Sequence, residues 1–544
     1  RDADGFSSSI LLPGPRQLSI EHYPNGNIES VSPPARAAHE FVFNQADQVT
    51  QYAPPVALGS TAPTEYEYDV SHRLVRYQRQ DGRTVDWDYV SGNIRSILAP
   101  DGEYQYFWSS GGRLRRVHSP SLESTRLNWS GDLIMSIIDD VSLSTVEYQY
   151  DENFWISSIK VNGSHVSFSY DEDGLKTQAG DLSLSYLQNA PLLESTALSL
   201  IADAWTYNMF GEPEGYSASF DTQPLLDFSY QRDELGRIIE VTEVLGSGSP
   251  TITEYSYDNA GRLGTVRINS AVVHEYTYDL NGNRTLNDGA LASYDPQDRL
   301  LSYEDWDYSY TADGELLERT DAATGDSRFF EYDVLGNLDN VILENSTEIS
   351  YQQDGLMRRA SRTVNGTVTH RWAYQDGLNP VAELDADGNI VSRFVYASRG
   401  HVPDHMVRDG RTYRMISDHL GSVRLVVDAD AGTVAQELAY GPFGEVLLDT
   451  NPGFQPFGYA GGLYDPATGL VRFGVRDYDS SIGRWLTKDP IGFRGGSTNL
   501  YEYVGSDPIN RIDPTGKIGI LGAGIGAAIG GVGGFIGALS SGAD

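Results

Sequence analysis

Residues 255–263 read YSYDNAGRL, and residues 276–282 begin the same pattern again as YTYDLNG. Residues two apart in a β-strand point to one face, so each tyrosine pair places two rings on the same side. The aspartate can accept hydrogen bonds from backbone N–H groups of a following turn, and the glycine can adopt the positive φ that a tight turn needs. Arginine and leucine then begin another strand. The motif therefore predicts a strand-turn-strand unit with one aromatic face.

The unit recurs along most of the chain, which indicates a repeat architecture. Further copies stand at residues 66–69 (YEYD), 168–171 (FSYD), 228–230 (FSY), 306–308 (WDY), 330–333 (FEYD) and 372–374 (WAY). One unit cannot bury its aromatic face alone, whereas neighbouring units can bury it between them, and each ring removes on the order of 150–250 Å² from water. Residues 179–225 lack clean copies, and they are either a degenerate turn of the repeat or an inserted loop.

Composition supports this interpretation and excludes several classes of protein. The 34 tyrosines favour strands and the 57 glycines favour turns, so we expect few helices. The formal charge of −37 argues against a nucleic-acid binder, which needs a basic face, and against a polybasic contact with anionic lipid. Because the chain contains no cysteine, disulfides, thiol catalysis and Cys-ligated zinc are excluded.

These units resemble the YD repeats of bacterial Rhs proteins, of the Tc-toxin B and C subunits and of the extracellular part of animal teneurins. The resemblance covers roughly residues 15 to 516. It implies an all-β fold in which an antiparallel YD-repeat sheet spirals into a hollow shell, closed by an Rhs-associated core.

The part of the chain after about residue 400 resembles that core closely in the order and spacing of its motifs. The segments that carry this resemblance are residues 418–424 (DHLGSVR), 440–445 (YGPFGE), 461–465 (GGLYD), 469–473 (GLVRF), 476–479 (RDYD), 483–485 (GRW), 489–492 (DPIG) and 513–516 (DPTG). The resemblance implies three parts: a YD-repeat β-shell at 1–400, an Rhs-associated core with an autoprotease motif at 401–516, and a glycine-rich apolar payload leader at 517–544.

In the family the core is an intramolecular aspartyl protease that cuts just after a DPxGL motif. The resemblance implies that Arg476 and Asp477 pair with Asp489, that Asp513 belongs to the cleavage motif, and that the cut falls between Lys517 and Ile518. The chemistry is reasonable, because two close carboxylates share a proton, and one can activate water while the other protonates the departing amide. A fixed arginine can hold a carboxylate ionised or stabilise the oxyanion.

Three features weaken that assignment. Asp-Pro-x-Gly is also an ordinary turn sequence, and without the flanking core it would not indicate catalysis. The usual leucine after this motif is Lys517 here, and Asp489 and Asp513 stand slightly further apart than usual. At most, the chain is a self-cleaving endopeptidase that turns over once.

The sequence supports other candidate sites less well. His401 and His405 are four residues apart, but Pro403 between them disfavours a helix that presents both, so we predict no metal site. His419 fits a structural part of the core better than a catalyst. The sequence contains no P-loop, dinucleotide fingerprint, HExxH or nucleophile elbow, and we predict no cofactor.

Residues 518–543 contain no charged side chain, and Gly522, Gly526, Gly530 and Gly534 fall four apart. That spacing is used for close helix packing in membranes, and the length suffices to span a bilayer. Many glycines nevertheless destabilise a helix in water. The resemblance favours the start of a payload, tucked inside the shell or disordered, with a transmembrane anchor as the alternative.

The leading hypothesis is a structural shell that encloses a C-terminal toxic polypeptide and releases it by self-cleavage, as in a polymorphic toxin. The alternative is a teneurin-like adhesion or carbohydrate-binding module, which would not need the protease core. A general protease is a third, weaker hypothesis, because a site enclosed by the chain that it cuts turns over once. The resemblance implies a bacterial protein, secreted or at the cell surface and delivered by a secretion system.

The partners expected are the chain's own C-terminal payload and a further portion of the shell. Residues 1–4 (RDAD) are polar and lack an initiating methionine, so we expect a processed end. A longer precursor or a partner subunit would then complete the shell.

Overall fold

The computed structural model describes residues 5–57 and 62–517. These residues form 47 strands and three short 3-10 helices, and the all-β prediction is confirmed. Strands β1 to β22 are, in chain order, Ser9–Leu12, Arg16–His22, Ile28–Ser32, His39–Phe43, Val49–Ala53, Thr64–Tyr68, Leu74–Gln78, Thr84–Val90, Asn93–Ala99, Gly102–Trp108, Leu114–His118, Ser124–Ser130, Leu133–Asp139, Ser144–Tyr150, Ile156–Val161, Ser164–Tyr170, Lys176–Ala179, Leu182–Tyr186, Leu193–Leu198, Ile201–Tyr207, Pro213–Phe220 and Gln223–Arg232.

Strands β23 to β43 complete the large sheet. They are Ile238–Leu245, Thr251–Tyr257, Leu263–Ile268, Ala271–Tyr278, Arg284–Asn287, Ala290–Tyr294, Leu300–Tyr303, Trp306–Tyr310, Leu316–Asp321, Ser327–Tyr332, Leu338–Ile342, Glu348–Gln353, Arg359–Val364, Thr367–Tyr374, Pro380–Leu384, Ile390–Val395, His405–Arg408, Arg411–Ser417, Val423–Asp428, Val434–Tyr440 and Val446–Asp449. A second sheet contains β44 to β47, at Leu463–Asp465, Leu470–Phe473, Arg476–Asp479 and Arg484–Trp485. The 3-10 helices are Tyr459–Gly461, Gly492–Gly495 and Val504–Ser506.

The large sheet is one antiparallel meander, because each strand pairs with the next strand in sequence. Residues 179–225, where the repeat is unclear in the sequence, continue this sheet through β18 to β21 without a break. They are therefore a degenerate stretch of the repeat and not an inserted loop.

The YD turn is stabilised by a chain of contacts that passes from one repeat to the next. Asp258 accepts hydrogen bonds at Oδ1 from the backbone N–H groups of Ala260 (2.8 Å) and Arg262 (3.0 Å), and its Oδ2 pairs with Arg262 Nε at 2.8 Å. The Arg262 guanidinium lies 4.7 Å from the ring centre of Tyr278. The Tyr278 hydroxyl donates to the carbonyl oxygen of Leu263 at 2.8 Å.

The same five contacts recur at other turns, which explains why aspartate, arginine and the second tyrosine appear together in the sequence. The turns that share them begin at Asp69, Asp233 and Asp354. Gly261 has a φ of +82°, which a residue with a side chain rarely adopts. The predicted aromatic face is present too, since Tyr255, Tyr257, Tyr276 and Tyr278 belong to one hydrophobic cluster.

The sheet coils, and its two ends overlap. We call β1–β24 the first wind and β25–β43 the second wind. Contacts between the winds join residues 181 to 255 apart in sequence, as the pairs Arg424 with Glu243 and Arg79 with Val334 show. The contacts of Arg36 with Asp279 and of Arg414 with Asp203 lie within this range. Ser199 Oγ also donates to Asp430 Oδ1 at 2.9 Å. One wind of the spiral therefore takes between 181 and 255 residues at the positions that these contacts join.

The 401–516 segment predicted as a separate core does not begin a new fold at residue 401. Strands β39 to β43 still belong to the wall, and the second sheet begins only at Leu463. That small sheet and the chain after it pack against the second wind, where Asp465 pairs with Arg362 (2.6 Å) and the Tyr501 hydroxyl donates to the Gly314 carbonyl (2.7 Å). Phe493 reaches the first wind, with its ring centre 4.9 Å from that of His39.

Candidate functional site: an arginine between two buried carboxyl groups

Strand β46 decides which of the predicted residues can meet. Successive side chains in a strand point to opposite faces, so Arg476 and Asp477 cannot both face one site. The structure follows this rule. Arg476 lies with Asp489 and Asp513, and Asp477 lies on the other side with Arg359 and Arg472.

Arg476 is the centre of the first cluster. Its Nη2 contacts Asp489 Oδ2 at 3.0 Å and Asp513 Oδ2 at 3.3 Å, so the two carboxyl groups share one nitrogen. Its Nε donates to the carbonyl oxygen of Gly516 at 2.5 Å, one peptide bond before the predicted cleavage position. The guanidinium carbon also lies 4.0 Å from the ring centre of Trp485. The arginine is thus fixed on all sides, and its side chain is 2% exposed.

Asp489 is held by its own local turn. Its backbone N–H donates to the Leu500 carbonyl at 2.9 Å, and its Oδ1 accepts from the Ile491 N–H at 3.0 Å. Burial raises the pKa of the Asp489 carboxyl, Asp513 raises it further, and Arg476 opposes both effects. A raised pKa favours a carboxyl group that can hold a proton for transfer.

The backbone at Gly495 passes close to Asp489, and only a residue without a side chain allows this approach. A Cβ at this position would lie 2.7 Å from Asp489 Oδ2, a distance that real side chains do not tolerate. The same position lies 3.6 Å from the carbonyl oxygen of Lys517. Asp489 and the last described peptide carbonyl therefore face the same glycine.

Asp513 begins the DPTG turn and is fully buried. Its Oδ1 accepts from the backbone N–H of Lys517 at 3.1 Å and from Thr515 Oγ1 at 3.0 Å. Gly516 has a φ of +70°, and a Cβ there would lie 2.6 Å from the Phe473 carbonyl oxygen, so only glycine fits. The turn thereby brings Lys517 to the two carboxyl groups. Burial lowers the pKa of the Lys517 amine, while both carboxyl groups raise it.

The structure does not bring Asp477 to Asp489, which corrects the expected pairing. Asp477 Oδ1 lies 2.9 Å from Arg359 Nη1, and its Oδ2 lies 2.8 Å from Arg472 Nη1. Arg472 sits opposite Asp477 in the β45–β46 register, and Arg359 comes from the wall. Sequence reasoning missed both arginines. Arg472 stands in the quoted GLVRF segment, but nothing in the sequence marks Arg359.

Ile518 and the tail that follows lie outside the described residues. His401 Nε2 is 3.1 Å from the Leu420 carbonyl oxygen, and His419 Nε2 is 2.7 Å from the Ile509 carbonyl oxygen. Within residues 5–57 and 62–517, no three His, Asp or Glu side chains are grouped as metal ligands, and no helix is long and apolar enough to cross a bilayer.

Comparison with known proteins places this chain among shell-forming repeats. The teneurin YD-shell family matches residues 2–509. Human teneurin-4 is 27% identical over 541 residues, covering 93% of this chain and 19% of teneurin-4. Double-stranded DNA deaminase toxin A of Burkholderia cenocepacia is 27% identical over 508 residues, covering 84% of this chain and 33% of the toxin.

The crystal structure of TcdB2-TccC3 superposes with a TM-score of 0.67 at 16% identity, covering 92% of this chain and 30% of that one. At that identity the likeness is one of fold. The chain spans between a fifth and a third of the length of these proteins.

Proposed function

The chain belongs to the teneurin YD-shell family, and from this premise we propose that it is a wall segment of a shell that holds its own C-terminal polypeptide and releases it by self-cleavage. The observation that carries the proposal is the cluster of Arg476, Asp489 and Asp513 around the last residue of the DPTG turn. A purely structural turn does not need two buried carboxyl groups on one arginine, since burying charge is unfavourable unless it is compensated.

The proposed reaction is hydrolysis of the peptide bond between Lys517 and Ile518. A carboxylate takes a proton from water, and the water oxygen bonds to the Lys517 carbonyl carbon. The C–N bond then breaks, and the protonated partner carboxyl group gives its proton to the departing Ile518 nitrogen. Asp489 fits the proton donor because its pKa is raised, and Asp513 fits the base.

Arg476 and Asp477 have positioning roles in this proposal. Arg476 balances the two carboxyl groups and fixes the Gly516 carbonyl. Asp477 pairs with both Arg359 and Arg472, which are buried, and so holds strand β46 in place. Removing its charge would leave two buried cations without that carboxylate, and the strand that carries Arg476 would shift.

Intact-mass spectrometry of freshly purified protein tests the proposal. Wild type should lose the mass of residues 518–544, and Asp489→Asn should cut at least about 100-fold more slowly, as expected when a general acid or base is removed. Asp513→Asn should behave alike. Asp477→Asn should also block the cut, accompanied by a lower thermal midpoint. A wild type that stays full length, or an Asp489→Asn chain that cuts at the normal rate, would refute the catalytic assignment.

The wall itself supports the proposed need for further shell. Apolar side chains at YD turns of the second wind are covered by the first wind: Val334 is 4% exposed and Met357 is 2% exposed. At turns of the first wind, Val70, Phe210 and Leu235 are 99%, 80% and 78% exposed. We infer that another wind of YD repeats, from a longer precursor or a partner subunit, covers this edge, since apolar patches of this kind mark interaction surfaces.

The carbohydrate-binding alternative is less well supported. It requires accessible aromatic rings, but the repeat tyrosines lie within the wall, as Tyr104 (6% exposed) and Tyr276 (5%) illustrate. A container acting on other cells would work outside the cell that makes it, and we propose a secreted or surface location on that ground.

A further inference from the structure

A cavity of about 230 Å³ lies directly beside the carboxyl cluster. It is lined by aromatic and aliphatic side chains of the first wind, by residues 334–337 of the second wind and by residues 487–494. Val49, Tyr66 and Phe493 line it, and Asp489 and Arg476 stand at its edge. For comparison, an apolar protein cavity of about 150 Å³ is large enough to bind benzene.

Several charged side chains in the cavity wall are compensated by one another, although the buried Nη2 of Arg494, which also lines the cavity, has no hydrogen-bond partner among the described residues. Arg79 pairs with Glu315 at 2.5 Å and with Asp313 at 3.2 Å, and its side chain is 2% exposed. Burial lowers the pKa of Lys488 to about 8, while Asp313 and Glu315 oppose that shift. Most of the remaining lining is aromatic or aliphatic, including Val49, Tyr66 and Phe493, and this part of the cavity fits an aliphatic ligand.

The chain itself supplies such a ligand at this place. The described chain ends at Lys517, whose N–H is bonded to Asp513 and whose carbonyl oxygen lies beside Gly495, next to Asp489. The next four residues are Ile518, Gly519, Ile520 and Leu521, and no charged residue occurs before position 544. A segment that continues from Lys517 thus starts at the edge of the cavity with the side chains that match it.

We propose that this cavity binds the first aliphatic residues of the tail, beginning with Ile518, and that it thereby selects the bond that is cut. Val49, Tyr66 and Phe493 are then specificity-determining residues for the residue that follows the bond. The role in cleavage rests on the proposed function, whereas the binding of the tail does not.

Photocrosslinking tests the binding without requiring cleavage. In an Asp489→Asn chain, which keeps the tail attached, Tyr66 is replaced by p-benzoylphenylalanine, and crosslinked peptides are mapped by mass spectrometry. The expected product joins position 66 to residues 518–521. The matched control carries the same residue at Phe154, which is 70% exposed on a turn, and should give no such product. Absence of the tail crosslink from position 66, or an equal yield from position 154, overturns the proposal.

Variants in the tail test the selectivity without disturbing the wall. Ile518→Val, which lacks one methylene group, should cut about 10-fold more slowly than wild type, and Ile518→Ala, which lacks more of the side chain, should cut more slowly again, as expected for an apolar pocket. Ile518→Asp should be slower still. If wild type does not cut at all, the proposed function fails, and the crosslink alone shows whether the cavity binds the tail. If all four chains cut equally, the cavity does not select the bond, although self-cleavage stands.

Discussion

The contact between the two winds predicts how much stability is lost when a buried YD turn is altered. An equivalent turn in another repeat, which is more exposed, serves as the control. Asp354 and Asp69 occupy the same place in two YD turns. Each accepts two backbone hydrogen bonds at Oδ1 and pairs with an arginine four residues later. The pair of Asp354 with Arg358 is 1% and 4% exposed, whereas the pair of Asp69 with Arg73 is 21% and 34% exposed. Asparagine at either position can keep the oxygen that caps the turn, and it replaces the charged oxygen that pairs with the arginine by an NH2 group.

The expected difference follows from burial. Breaking a buried ion pair by removing one partner costs about 3–5 kcal/mol, whereas a partly exposed pair contributes about 0–1 kcal/mol. For Asp354→Asn we expect the lower end of that range, about 3 kcal/mol, because the nearby Asp139 still acts on Arg358. Burial raises the pKa of Asp139 to about 6, so this carboxyl group is mostly ionised at neutral pH.

Thermal unfolding at pH 7.5 measures the difference. With an unfolding entropy of about 2.1 cal/mol/K per residue, a loss of about 3 kcal/mol lowers the midpoint of this chain by roughly 3 °C. Asp69→Asn should lower it by about 1 °C or less. Equal shifts for the two variants would mean that stacking of the winds does not bury the YD turn in solution, and the two-wind arrangement would be refuted.

Three further results are expected. Burial raises the pKa of the Glu383 carboxyl group to about 7, so its contribution to stability is present below about pH 4.5 and is lost as the pH rises through 7. The thermal midpoint of Glu383→Gln should therefore rise relative to that of wild type between pH 5 and pH 8. A difference that stays constant over this range would contradict the prediction. Tyr278→Phe removes the hydroxyl that donates to the Leu263 carbonyl, and urea unfolding should show that the free energy of unfolding falls by about 1–3 kcal/mol. An unchanged free energy of unfolding would argue against the hydrogen bond between repeats. Phe210→Asp should leave the thermal midpoint within about 1 °C of wild type and reduce binding of an apolar dye. Met357 is buried between the winds, and Met357→Asp should therefore unfold the chain. Similar behaviour of the two variants would argue against the exposed edge.

The sequence by itself determined the repeating unit, because the interactions of that unit are local. Asp258, Gly261 and Arg262 lie within five residues, and Tyr278 ends the second strand that follows them, β26. Periodicity of side chains along a strand and the chemistry of turns are sufficient to predict such a unit. The motif order also identified the residues near the DPTG turn, and Arg476, Asp489 and Asp513 do come together.

Only the tertiary structure decided which residues contact each other when they lie further apart than neighbouring strands. Arg359 reaches Asp477 across 118 residues, and Arg79 reaches Glu315 across 236 residues, and no local pattern encodes which wind faces which. The sequence placed Asp477 beside Asp489 because the motif contains both, but alternation along β46 turns Asp477 away from the cluster. Contacts between distant segments depend on how far the sheet coils per strand, and that coil accumulates from many small twists that no single residue specifies.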